Sequence, residues 1–146
     1  MKKILTTLVL AIAVVTSALA NNEKVKQEVL DAFNSKFSKA QHVTWETGYT
    51  YYKAAFNYYG NWMTAWYTTS GKFISVTRNM SSTELPLYLR NSLKNNYSGY
   101  WITDVVEESN KNGFSYYITL EDADNKFVLK SRSGGDWTLY SKQQKL

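Results

Sequence analysis

The sequence predicts an α+β fold: a helix followed by a four-stranded antiparallel meander, occurring twice in tandem, with both helices packed on one face of the sheet. Three observations predict it. Two windows with helical spacing of apolar residues, 23–37 and 83–97, lie 60 residues apart. Each is followed by four alternating, β-rich segments separated by turn residues. Apolar positions of one half then recur in the other at a nearly constant offset.

The opening residues, "MKKILTTLVLAIAVVTSALA", come first in the chain. Lys2 and Lys3 precede a short apolar run, Ile4 to Val15, and Ala18-Leu19-Ala20 has the small-x-small pattern of a cleavage site. This is the layout of a secretory signal peptide over 1–20, too short in its apolar part for a spanning helix. A cleaved chain, residues 21–146, is long enough for a single domain with its own core, made of two repeats at about 23–80 and 81–142. The expected location is the periplasm or outside the cell, with no membrane anchor.

In the first helical window Val25, Val29, Leu30, Phe33 and Phe37 share a face. In the second, Leu85, Leu89, Leu93 and Tyr97 do the same, with Ser81 and Glu84 spaced as a capping box and Pro86 in the first turn. Strands are expected at about 42–47, 49–57, 62–68 and 72–78, then at 101–109, 113–121, 126–132 and 136–141. The breaks include Thr47-Gly48, Tyr59-Gly60-Asn61, Ser70-Gly71, Lys111-Asn112-Gly113 and Gly134-Gly135. Phe33 matches Leu93 at an offset of 60, whereas Tyr52 matches Tyr116 and Phe56 matches Leu120 at 64, so four residues enter near 109–112.

Composition excludes several kinds of chemistry. With no cysteine there is no disulfide, thiol nucleophile or thiolate metal site. Without Lys2 and Lys3, 15 basic residues face 12 acidic ones. A net charge of about +3, with scattered bases, does not point to nucleic acid. His42 is the only histidine, and no Gly-x-Ser-x-Gly elbow is present. Glu107 and Glu108 are adjacent on a strand and face opposite sides. The acidic stretch Glu121 to Asn125 lacks the glycine and final glutamate of a calcium loop and reads as a hairpin turn. No catalytic residue, metal site or cofactor is expected.

Several segments together resemble a known family. "AFNSKFSKAQHVTWE", "YYKAAFNYYGNWMTAWYTTSGKF" and "SSTELPLYLRNSLKNNYSGY" are similar to the PepSY-like, β-lactamase-inhibitor-like exported proteins of Bacteroides and relatives. The matching positions are Lys36–Phe37, Val43–Trp45, Tyr52-Ala54-Phe56, Gly60, Ala65–Tyr67, Gly71–Lys72 and Leu85–Pro86. The chain departs from the pattern at Ser38 and Ser98, where relatives often carry proline. The resemblance implies a tandem helix-plus-sheet architecture and an exported location.

Strand alternation then raises the functional question. If Tyr52, Ala54, Phe56, Met63, Ala65 and Tyr67 face the helices, the opposite face carries Tyr51, Lys53, Ala55, Trp62, Thr64 and Trp66. Repeat two places Tyr117 and lysines at the equivalent positions. Cross-strand pairing or coverage by the C-terminal "KQQKL" would give these aromatics a structural role. Exposed Trp and Tyr on a solvated sheet also form binding surfaces. The expectation is a non-enzymatic binding protein that grips a protein partner through Tyr51, Lys53, Trp62, Thr64, Trp66 and Tyr117. The alternative is a glycan or small-ligand binder, with Thr64, Lys53 and Asn61 beside the rings.

Overall fold

The computed structural model describes residues 25–132 and 134–145, so the expected leader over 1–20 lies outside the described residues. Helix α1, Gln27–Lys36, buries Val29 and Phe33 and carries Glu28 in its first turn and Lys36 in its last, each favourable for the helix dipole. It starts later than its apolar spacing suggested, because Lys26 has extended backbone and supplies no side-chain cap.

The second helix also differs from its expected span. Ser81 and Glu84 do form a capping box, but it closes a short 3-10 turn, Ser82–Glu84. Leu85 precedes proline and is extended (ψ 147°), as the steric clash with the proline ring requires. Pro86 therefore stands at the N-cap, and α2 runs from Leu87 to Asn96. Leu85, Leu89 and Leu93 are buried beneath it.

Four strands follow α1: β1 Gln41–Thr47, β2 Tyr51–Tyr58, β3 Asn61–Thr68 and β4 Phe73–Asn79. Four follow α2: β5 Trp101–Asn110, β6 Gly113–Glu121, β7 Asn125–Arg132 and β8 Thr138–Gln144. All eight form one sheet in sequence order, each antiparallel to the next. Two strand starts move by two residues from expectation. β2 begins at Tyr51 because the Gly48 N–H donates to the Tyr51 carbonyl across a turn. β8 begins after Trp137, which is buried and donates its ring N–H to the Leu89 carbonyl at 3.2 Å.

Both helices pack on the same sheet face, each over its own cluster. α1 covers Tyr52, Ala54, Phe56, Ala65, Tyr67 and Val76, and α2 covers Val105, Ile118, Leu120, Leu129 and Trp137. The β4–β5 pairing joins the halves, with Val76 opposite Ser109 and Arg78 opposite Glu107. Arg78 bonds both Glu107 (3.0 Å) and Glu84 (3.2 Å), tying β4 and β5 to the turn that leads into α2.

Two turns set the frame. Tyr59 (φ 49°) and Gly60 (φ 84°) are the central residues of the β2–β3 hairpin, a type I′ geometry whose twist suits the strands. Gly71 (φ 81°) sits under α1, where a Cβ would come within 2.9 Å of the Glu28 carbonyl oxygen.

Candidate functional site

The face away from the helices is built in cross-strand rows, and register decides which side chains share one. One row holds Glu46, Lys53, Trp66 and Ser75. The next holds Thr44, Ala55, Thr64 and Thr77. The third pairs Asn57 with Trp62 on β2 and β3, and Val106, Tyr117 and Lys130 on β5 to β7. The middle row is made only of small side chains. Across four strands these side chains are shorter than the rings in the flanking rows, and this strip of small residues is the trough between Trp66 and Trp62.

The Trp66 bank is cross-linked. The rings of Tyr51 and Trp66 are 5.2 Å apart, and the Lys53 ammonium lies 5.5 Å from the Trp66 ring centre. Lys53 also pairs with Glu46, whose carboxylate accepts a hydrogen bond from the Tyr51 hydroxyl at 3.4 Å. Cation–π and surface ion-pair contacts of this exposure contribute about 0.5–1 kcal/mol each, enough to fix a rotamer rather than a fold. Ser75, opposite Trp66, is buried and its hydroxyl has no partner among the described residues.

The Trp62 bank is open. Trp62 is 62% exposed, and its nearest aromatic neighbour is His42, with ring centres 6.4 Å apart. His42 stands in the left-handed region (φ 54°) at a bulge between Gln41 and Thr44. Tyr59 adds a third ring at the same end of the sheet, 75% exposed at its turn.

Tyr117 differs from expectation. It faces the same side of the sheet but is only 6% exposed. Its hydroxyl donates to Glu108 at 3.0 Å and accepts from the Lys130 ammonium, which also lies over its ring. The Tyr140 ring closes on it edge-to-face at 5.4 Å. Burial, and after it the Glu108 carboxylate, push the Tyr117 hydroxyl pKa well above the ordinary range, while burial lowers that of Lys130. Tyr117 is thus largely covered by its neighbours, and the little surface it keeps lines a cleft with Thr119, Val128 and Tyr140.

Five of the six expected contact residues therefore lie together on the outer face of the first repeat, and the sixth lies beneath a lid. Alternation alone placed Ala55 on this face, whereas Thr44 and Thr77, which complete the trough, were not singled out from sequence. Their significance depends on register, which a one-residue slip would invert. Among the described residues the C-terminal segment does not cover the tryptophans: Lys142 and Gln144 belong to β8, at the far edge of the sheet from β1. Glu121 to Asn125 is a hairpin turn in which the Asp122 carboxylate accepts from the Asp124 and Asn125 amides. Among the described residues no group of three or more His, Asp or Glu could hold a metal ion.

No family model matches the chain, and no curated protein matches it. Solved structures do. A BLIP-like protein from Bacteroides fragilis superposes with a TM-score of 0.72 at 21% identity, over 83% of this chain and 86% of that one. A "putative periplasmic" protein from Bacteroides eggerthii gives 0.72 at 16% identity, over 83% and 89%. A DUF2874 family protein from Bacteroides ovatus gives 0.74 at 20% identity, over 84% and 89%. The two helices, each with its four-stranded run in one continuous sheet, are thus the fold of BLIP-like and DUF2874 proteins of Bacteroides.

Proposed function

We propose that this chain is an exported, non-enzymatic binding protein that grips another protein through the outer sheet face of its first repeat. The observation that carries the reading is Trp62, a large ring held 62% exposed beside a floor of small residues. Trp66 and Tyr51 stand across that floor, braced by Lys53 and Glu46. Pre-set aromatic anchors next to a groove are what interface hot spots are made of, because little side-chain entropy is lost on contact. At the positions equivalent to Trp62 and Trp66 the second repeat has Lys126 and Lys130, so building the unit does not require tryptophan there.

Two findings agree with this reading. One protein of the same fold is named BLIP-like and another is named for the periplasm. No helix among the described residues is long and apolar enough to cross a membrane. Capture of a stoichiometric protein from envelope extract, lost on Trp62→Ala, tests the proposal.

The glycan reading finds its observation elsewhere on the same face. Tyr117, Thr119, Val128 and Tyr140 line a cleft of about 250 Å³ together with the polar Asp104, Lys126 and Gln143. A ring beside hydrogen-bonding side chains suits a sugar, and retardation in a polysaccharide gel that survives Trp62→Ala would favour it.

A further inference from the structure

The tandem repeat contains its own control for packing, because register fixes which residues are equivalent. Trp45 opposite Ala54 corresponds to Val105 opposite Ile118, and Phe56 opposite Met63 corresponds to Leu120 opposite Phe127. In the first repeat Phe33 sits with Phe56 at 5.0 Å and Trp45 at 5.2 Å, and Phe37 meets Phe56 at 4.8 Å. Those rings fill the space under the end of α1. In the second repeat Leu93, Leu120 and Val105 replace three of them, while Ile118 and Leu129 stand where the first repeat has Ala54 and Ala65.

An open groove of about 350 Å³ lies between the second half of α2, the turn after it and the start of β5. Leu93, Leu120, Tyr97, Tyr100 and Ile102 line it, and its surface is mostly apolar. Arg90 and Lys94, one helical turn apart, stand on its rim. Neither has an ion-pair partner among the described residues. The equivalent positions in the first repeat are Leu30 and Asn34. The repeat that lost its filling rings is therefore the one that gained two cations at the opening.

An apolar trench with two unpaired cations at its mouth is complementary to a molecule with an apolar body and an anionic end. We infer that this groove binds a soluble, single-chain amphipathic carboxylate, its chain lying on Leu93, Leu120 and Ile102 and its carboxylate meeting Arg90 and Lys94. The groove suits one short chain rather than the paired chains of a bilayer lipid. The site lies on the helix side of the sheet, so it is independent of the tryptophan trough.

The test titrates the protein with decanoate, below its micellar range, and follows methyl resonances of the groove leucines and Ile102. Saturable shifts are expected, with decanol weaker by about tenfold, the loss of one charge-assisted contact. R90Q/K94Q, a surface change that leaves the core intact, is expected to bring decanoate down to the level of decanol. L93F/L120F restores the first repeat's rings and is expected to abolish binding in a folded protein. Absence of saturable shifts would overturn the inference. So would decanoate affinity unchanged in R90Q/K94Q, or binding seen only with phosphatidylglycerol vesicles. If L93F/L120F does not fold, the R90Q/K94Q comparison decides by itself.

Discussion

Two tyrosines show how single residues depart from what their surroundings favour. Tyr67 is fully buried under α1, packed edge-on against Phe33 and Phe73, and its hydroxyl has no partner among the described residues. An orphaned buried hydroxyl costs folding free energy, so Tyr67→Phe is expected to stabilise the protein by about 1 kcal/mol in chemical denaturation. Burial also pushes its pKa from 10.0 up to about 12. Between those values the unfolded chain loses the proton while the folded one keeps it, so stability falls as pH rises through that window. Tyr67→Phe should flatten this alkaline decline, and an unchanged slope would contradict the burial argument. Tyr59 occupies a left-handed turn position that suits Asn or Gly, yet is 75% exposed and touches only Tyr58 among aromatic rings. Tyr59→Asn is expected to raise the thermal midpoint, since the backbone gain of about 1 kcal/mol exceeds an exposed ring contact. A variant that is more stable but captures partner less well would mark Tyr59 as a contact residue.

At the scale of elements, the Arg78 network does what no single strand pairing does, fastening the two repeats and the lead-in to α2. Arg78→Met strands Glu107 in a part-buried position and is expected to cost about 1–2 kcal/mol, with Glu107→Met in the same chain recovering most of it. The backbone amide of Ser81, and then Arg78, hold the Glu84 carboxyl below its usual pKa. Its contribution is therefore present above the ordinary glutamate value of 4.5 and is lost as pH falls through the lowered folded value. Urea midpoints measured from pH 6 down to 3 should show a shallower acid decline in Arg78→Met. Helix faces, hairpin positions and the inward set on β2 and β3 were legible in the sequence because each rests on a local period or turn signal. The start of α2 was misplaced because a capping box and a following proline compete for the same residues. The cover over Tyr117 was illegible, since Tyr140 and Lys130 reach it from other strands and sequence spacing carries no sign of it.

The whole molecule has two faces with different duties. The helix face is spent on two cores joined at β4–β5, and the outer face of the first half keeps a trough between two tryptophans. The two rings should separate binding from stability. Trp62 is exposed and contacts little, so Trp62→Ala is expected to leave the denaturation midpoint within about 0.5 kcal/mol. Trp66 is half-buried against Tyr51 and Lys53, and Trp66→Ala should cost about 1–2 kcal/mol. The most direct measurement immobilises the protein and its Trp62→Ala variant side by side and passes envelope extract from the same organism over both. A single protein retained in stoichiometric amount by the first and lost by the equally stable second is the predicted result. Equal retention by both would contradict the account and move the binding surface off the tryptophan trough.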